Sequence, residues 1–361
     1  MNNNIVIVVP SLESTSPVRG SFALANILIK HKKVFIVSLR DDKLNSDVYI
    51  NEKIVILKPC KSKNKLSIFN FLDFKKSIKH LIKFHEIGII FSSCLIPDIY
   101  NCFSDFGIKR VVSIRANNIE SYKYSFGFYG LFIAIFHYFL LNKIDKVIVM
   151  HEQMSEQIKK FVFNKEKIHI IPNFIDNYSF DIKKSHPKTN PFRIIFIGWL
   201  NKRKDPLSIL DPINILLKEG YEILLDYYGE GELYKDLNDK ICKLGLTKNV
   251  FVNGYEKNIF EKILSSHLLI IPSWSEGTPR AAIECLSLGV PCILREIYGN
   301  SDLISKKNSC RTFVTNNDLI ENIKFYMTNF KYDKRSNLLP NKYLNKNIEK
   351  RYIDLIKNIY E

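Results

Sequence analysis

Thirteen short apolar runs, rich in Val, Ile, Leu and Phe, recur along the 361-residue chain with helix-period segments between most of them. A run that short and that uniformly apolar is a strand buried on both faces, and strands alternating with helices fold into a doubly wound parallel sheet. Strands are predicted near residues 4–9, 33–39, 53–57, 87–92, 109–114, 145–150 and 167–171, then near 192–197, 222–228, 249–253, 267–272, 291–295 and 310–314. Between the two sets lies the polar stretch Lys183-Lys184-Ser185-His186-Pro187-Lys188-Thr189-Asn190-Pro191, which reads as an interdomain linker. The expectation is two Rossmann-like α/β domains, 1–185 and 186–340, with ligand at the carboxyl ends of their strands. A helix is predicted from Tyr343 to Tyr360.

The second set contains the run Leu268-Leu269-Ile270-Ile271-Pro272, followed by Ser275-Glu276-Gly277-Thr278-Pro279-Arg280-Ala281-Ala282-Ile283-Glu284-Cys285-Leu286. Thr-Pro has helix-start chemistry, with Thr278 at the N-cap and Pro279 at the first helical position. Glu276 is then on a strand-to-helix turn, where free backbone N–H groups and the helix dipole favour an anion, and a carboxylate beside them can accept from a sugar. Glu284 falls in a helix so apolar that it must be largely buried, and a buried carboxylate needs a partner. It is either a structural acid bonded to a neighbouring Arg or amide, or a ligand-binding group.

Glu-Gly-x-Pro, four residues, then Glu, after a strand ending Pro-Ser and before Leu288-Gly289-Val290-Pro291, resembles the signature of the retaining family-4 glycosyltransferases, the "group 1" enzymes of the GT-B fold. The resemblance implies two Rossmann-like domains facing across a cleft, a terminal helix at 341–361 crossing back to the first domain, a sugar contact for Glu276 and a ribose contact for Glu284. It extends to Ile197-Gly198-Trp199-Leu200-Asn201-Lys202-Arg203-Lys204-Asp205-Pro206, similar to the family's Gly-Arg-Leu-x-x-x-Lys-Gly motif that holds the donor diphosphate. Lys204 matches the Lys; Trp199 stands where the Arg is usual, and Arg203 is the substitute. Taken alone, this loop reads as a solvated surface rich in Lys. Tyr228-Gly229-Glu230-Gly231 and Asn253-Gly254-Tyr255 are similar to family turns, the latter placing Gly254 near the base. Gly277, Thr278 and Pro279 enter as donor-binding because they form the turn that starts the helix, where backbone N–H groups other than that of the proline face the donor.

In the first half the resemblance is looser. Arg19 and Gly20 lie in a loop, residues 10–22, that is similar to the family's glycine loop and otherwise is a plain turn before a helix at 23–30. At the end of the strand 109–114, Arg115 stands where many members carry His; it is either a cation orienting donor or acceptor or a structural Arg capping the strand. Ile170-Ile171-Pro172-Asn173-Phe174-Ile175-Asp176 resembles the family's ending of the first domain.

Charge and hydropathy suggest a surface partner. Of a net +16, residues 1–185 contribute +11, from 27 Lys and Arg against 16 Asp and Glu. No helix-turn-helix pattern, zinc spacing or RNA motif accompanies that charge, so nucleic acid is not expected. Phe71, Leu72, Phe74, Ile78, Leu81 and Ile82 interleave with Lys75, Lys76, Lys79 and Lys83 at helical spacing, giving either a solvated basic face over a packed stripe or a membrane-surface helix. Between Lys123 and Lys143 lie 19 residues without formal charge. A bilayer span there would split one sheet between two compartments, so a buried crossover helix with an aromatic edge at the membrane interface is expected. The seven cysteines form no C-x-x-C pair and read as reduced core thiols, and the first strand lacks a signal-peptide n-region, so a cytoplasmic chain is expected.

The expected activity is retaining, metal-independent hexosyl transfer from a nucleotide-sugar co-substrate, UDP favoured, to a polyprenyl-diphosphate-linked or growing surface glycan (O-antigen, capsule or exopolysaccharide) at an anionic membrane, with no cofactor. Glu276, Lys204 and Arg115 are the expected catalytic groups. No D-x-D pair occurs to hold a metal-bound diphosphate. Two alternatives stay open: a GT-B nucleotide-sugar epimerase, which needs acid/base groups such as His267, and a non-catalytic transferase-like binding subunit.

Overall fold

The computed structural model describes residues 4–13, 15–44, 49–60, 68–175, 190–304, 309–332 and 335–360. The chain divides into two compact units, Met1–Asp176 with Leu344–Glu361, and Asn177–Tyr343. Residues 183–189 of the expected linker lie outside the described residues.

In the first unit β1 (Asn4–Val9), β2 (Val34–Ser38), β3 (Val55–Leu57), β4 (Ile87–Ser92), β5 (Lys109–Ile114), β6 (Lys146–Val149) and β7 (Ile168–Ile170) form one parallel sheet in the order β3-β2-β1-β4-β5-β6-β7. Strand order reverses between β1 and β4, which is the topological switch point of such a sheet. The alternation of side chains along β1 explains its unbroken hydrophobicity. Ile5, Ile7 and Val9 enter the core on one face of the sheet, and Val6 and Val8 enter a second core on the other.

The helices of this unit are α1 (Ser16–Leu28), α2 (Ile68–His85), α3 (Leu95–Cys102), α4 (Asn118–Phe126), α5 (Tyr129–Leu140) and α6 (Glu152–Lys159). Two of these helices differ from the sequence expectation. The helix expected at 23–30 begins at Ser16, with Pro17 in its first turn, so Arg19 and Gly20 are helical and not loop residues. The single aromatic crossover helix is instead the pair α4 and α5. Gly127, at a φ of 58°, ends α4, and a Cβ at Gly130 would run into the Tyr122 carbonyl, so two glycines let the chain fold back on itself. In α2 the buried side chains Phe74, Ile78 and Leu81 recur at helical spacing, and Lys76, Lys79 and Lys83 point to solvent. The last helix, α13 (Asn345–Asn358), packs Ile348, Tyr352 and Leu355 into the same core as β1, and its Glu349 meets the His31 ring at 2.8 Å and Lys30 at 3.3 Å.

The second unit repeats the plan. Its strands β8 (Phe192–Ile197), β9 (Ile223–Tyr228), β10 (Val250–Val252), β11 (Leu268–Ile271), β12 (Cys292–Arg295) and β13 (Cys310–Phe313) form a parallel sheet in the order β10-β9-β8-β11-β12-β13. Here the switch point falls between β8 and β11. Helices α7 (Leu210–Lys218), α8 (Tyr234–Lys243), α9 (Ile259–Leu264), α10 (Arg280–Ser287), α11 (Tyr298–Ser301) and α12 (Asn316–Asn329) complete it. The capping box of α12, Thr315 with Asp318, is formed in full.

Candidate active site

Because β8 and β11 are neighbours across the switch point, the loops leaving their carboxyl ends meet, and these loops carry Arg203-Lys204 and Trp274-Ser275-Glu276. They are joined by several bonds. Trp274 N–H donates to the Arg203 carbonyl at 2.9 Å, Arg203 Nη1 donates to the Ser275 carbonyl at 2.6 Å, and Lys204 Nζ donates to Glu276 Oε1. Arg203 Nη1 also lies 3.8 Å from Glu276 Oε2. One carboxylate therefore faces two cations in a site where the Glu276 side chain is 9% exposed. Burial alone would raise the Glu276 carboxyl, but the Lys204 and Arg203 charges outweigh it and hold the group below the usual carboxylate range. Lys204 is pulled below its ordinary value by burial, against the attraction of Glu276.

A brace surrounds this cluster. Arg295, at the end of β12, donates from Nε to the Pro272 carbonyl and from Nη2 to Asp205 Oδ2, both at 2.7 Å, and its guanidinium lies 3.7 Å from the Trp274 ring centre. Asp205 sits in the left-handed region, at a φ of 50°, and immediately follows Lys204. The turn after β9 supports the same loop from below. Gly198 N–H donates to the Tyr228 carbonyl at 3.0 Å and Leu200 N–H to the Glu230 carbonyl at 2.7 Å. At Gly231, with a φ of 153°, a Cβ would collide with the Leu200 carbonyl, so this close approach of two loops requires glycine. Gly254, at a φ of 71°, accepts from Gly229 N–H at 2.7 Å and so ties in the loop after β10.

The helix start differs from the expectation. Helix α10 begins at Arg280 with Pro279 as its N-cap, so Thr278 does not cap it. Pro279 has no N–H of its own and Ala282 N–H already donates to the Pro279 carbonyl at 3.1 Å, so in the first turn the amides of Arg280 and Ala281 are the ones without an intrahelical acceptor. Glu284 does have a partner: Arg280 Nε donates to Oε1 at 3.0 Å, one helical turn away, and both side chains are buried. Glu284 thus belongs to a second ion pair, separate in its partner from the Lys204–Glu276 pair. The sequence reading left Arg280, Arg295 and Asp205 unassigned. For Arg295 the available signal was a cation closing an otherwise apolar strand.

In the first unit Gly20, Arg115 and Asn173 come together. Arg115 Nη1 donates to Asn173 Oδ1 at 3.1 Å, and a Cβ at position 20 would run into the Arg115 guanidinium. Asn173, read from sequence as a domain marker, is therefore an orienting partner for Arg115. His267, the imidazole an epimerase would need, precedes β11, at the amino end of its strand. Its Nδ1 accepts from Arg193 N–H at 2.9 Å and its ring stacks on Phe192, so it is placed at the opposite end of the sheet from Lys204 and Glu276.

Comparison with known proteins gives the family and the fold. The profile "Glycosyl transferases group 1" matches residues 178–344 and "Glycosyltransferase Family 4" matches residues 22–177. An uncharacterized glycosyltransferase of Methanocaldococcus jannaschii is 29% identical over 194 residues, 51% of this chain and 47% of that protein. The UDP-Gal:alpha-D-GlcNAc-diphosphoundecaprenol alpha-1,3-galactosyltransferase of Escherichia coli is 28% identical over 233 residues, 60% of this chain and 59% of that one. These alignments span about half to three fifths of the relatives' lengths. The fold is similar to sucrose-phosphate synthase from Thermosynechococcus elongatus, with a TM-score of 0.79 at 12% identity over 99% of both chains. With family profiles covering residues 22 to 344 and two doubly wound parallel sheets, this chain is a family-4-like member of the GT-B glycosyltransferases.

Proposed function

We propose that the chain transfers a hexose, with retention and without a metal, from a nucleotide diphosphate sugar to a lipid-linked or growing bacterial surface glycan of the O-antigen, capsule or exopolysaccharide kind. The observation that carries this reading is the pair of cations on one carboxylate at the switch point, beside the start of α10. In the free protein Lys204 neutralises Glu276. An incoming diphosphate brings its own negative charge, and Lys204 exchanges partners, turning from Glu276 to the leaving group. Glu276 is then released to accept from the sugar hydroxyls as oxocarbenium character develops. Arg203, already bonded to the Ser275 carbonyl, keeps the turn in place during that exchange, and the first-turn amides of α10 meet the remaining phosphate charge. Glu284, oriented by Arg280, is assigned the ribose, and Gly254 closes the base side. In the first unit Arg115, held by Asn173 and approached closely by Gly20, orients donor or acceptor.

UDP is the favoured nucleotide, supported by the UDP-Gal named for the Escherichia coli relative. The diphosphoundecaprenol in the same name supports a polyprenyl-diphosphate acceptor met on the inner face of the cell membrane. The test is a thermal-shift panel of UDP-, GDP- and ADP-sugars, then nuclear magnetic resonance of the product anomer with and without EDTA. A single UDP-sugar that raises Tm, and an EDTA-insensitive product of unchanged anomeric configuration, are expected. Inversion, or loss of turnover in EDTA, refutes the mechanism.

A further inference from the structure

Helix α5 is apolar all round, yet only one side of it is buried. Gly130, Ala134, His137 and Tyr138 face inward, while Tyr129, Phe132, Phe136 and Phe139 recur at helical spacing on the other side with 73, 57, 49 and 49% of their surfaces exposed. At the turn from α4, Phe126 and Phe128 are 47 and 76% exposed. A helix on a water-facing surface carries polar residues outward, and on this one the Tyr129 hydroxyl is the one polar group of the outward side chains. At about 200 Å² per aromatic side chain, these six expose roughly 700 Å² of largely apolar surface, above the largest patch of a typical monomer.

The patch is held in place. His137 hydrogen-bonds the Tyr122 hydroxyl at 2.8 Å and Asp98 at 3.1 Å, tying α5 to α4 and α3, so the outer aromatics cannot turn inward without breaking buried polar bonds. Phe128 packs edge-on against both Tyr129 and Phe132, which makes the turn an ordered aromatic tip. No helix among the described residues is long and apolar enough to cross a membrane.

We infer that the α4–α5 hairpin seats this chain on an anionic lipid bilayer, its aromatic face entering the boundary between head groups and acyl chains. Charge decides between lipid and a protein partner. The uncharged stretch is bracketed by the exposed cations Lys123 and Lys143, and Lys143 lies 4.5 Å from the ring centre of Phe103, itself 47% exposed. Aromatic rings with lysines at their margin match the amphipathic head-group layer, and the +11 of residues 1–185 complements anionic lipid. Helix α2 has a different part. Its Phe74, Ile78 and Leu81 are spent on the core, so its lysines supply long-range attraction and not insertion.

This rests on the membrane side of the proposed function and not on the transfer step. The test measures partition of the full chain onto vesicles of equimolar phosphatidylcholine and phosphatidylglycerol, at low and high salt. Phe128→Ser with Phe132→Ser should weaken partition about tenfold or more at both salt concentrations, since both rings are exposed and their loss leaves the core intact. Lys75, Lys76, Lys79 and Lys83 changed together to Gln should reduce the salt-sensitive part and leave the salt-resistant part. Partition of the double variant equal to wild type overturns the inference. So does a wild type that ignores vesicles and elutes as a dimer which the double variant dissolves, because the face then belongs to a second copy. Donor hydrolysis in the absence of lipid is read in parallel and should be equal in wild type and double variant. If neither turns over any donor while the difference in partition persists, the transfer reading fails and the docking surface stands.

Discussion

Replacing Lys204 by Ala removes one of two cations from a carboxylate whose side chain is 9% exposed. Breaking a buried pair by deleting one partner costs about 3–5 kcal/mol, because the other charge is left in a poor solvent. Arg203 remains 3.8 Å away, so a loss near 2–3 kcal/mol is expected. For a unit of this size that corresponds to a fall in Tm of roughly 5–10 °C. The pH dependence separates this cause from general damage. In the wild type the Glu276 carboxyl is held below the usual range, so that group contributes stability above the unfolded value of about 4.3 and loses it as pH falls through the folded value, whereas burial of Lys204 works the other way. With Lys204 gone, burial dominates and raises the carboxyl, so the deficit should shrink as pH falls from 7 toward 5 and the carboxyl takes a proton. Differential scanning fluorimetry across that range reads the shrinking gap between the two proteins. In turnover the same variant should lose about 10²–10³-fold in kcat, the cost of one preorganised charge at a leaving group. A variant with wild-type Tm at pH 7 and undiminished turnover would refute both the buried-pair argument and the role of Lys204.

Glu284→Gln keeps the shape of the side chain and weakens the bond to Arg280; free UDP should bind at least several-fold more weakly by calorimetry, whereas Glu276→Gln should mainly lower kcat. Equal UDP affinity in wild type and Glu284→Gln sinks the ribose assignment. Gly20→Ala puts a methyl into the Arg115 guanidinium, so transfer should fall while UDP affinity, read in the other unit, is unchanged. Unaltered transfer removes Arg115 from the reaction. Tyr352→Ala deletes a side chain that is 1% exposed and packed edge-on against Phe174 and Phe91, so about 3–5 kcal/mol of stability should be lost, seen as earlier proteolysis of the terminal helix. Protease resistance equal to wild type would show that α13 is not held by that core.

The strands were legible in the chain because a strand buried on both faces has almost no freedom of composition. Every one of the thirteen predicted strands is present, with ends within a residue or two. The charged groups of the second unit were legible in a different way: Glu276 falls on a strand-to-helix turn, where a doubly wound sheet places its ligand loops, whereas Lys204 stood out only through the resemblance, and the alternation does not encode the strand order that makes β8 and β11 neighbours and brings the two together. Local geometry was less accessible. Proline can occupy either the N-cap or the next position, so Thr278-Pro279 did not reveal which residue starts α10, and Pro17 started α1 well before its apolar period became visible. Longer-range side-chain pairing was decided only by tertiary structure. The Arg280–Glu284 pair is four residues apart on one helix and its spacing was readable, but that Arg295 braces Asp205 and Trp274, and that Gly20 is small because Arg115 lies against it, are facts about residues far apart in sequence and are not written in a period. The uncharged stretch after Lys123 shows the same limit. Its composition demanded an apolar environment on every side, but only the fold, by turning it back at Gly127 and burying one face of α5, determined which side the protein covers and which it leaves to be covered by something else.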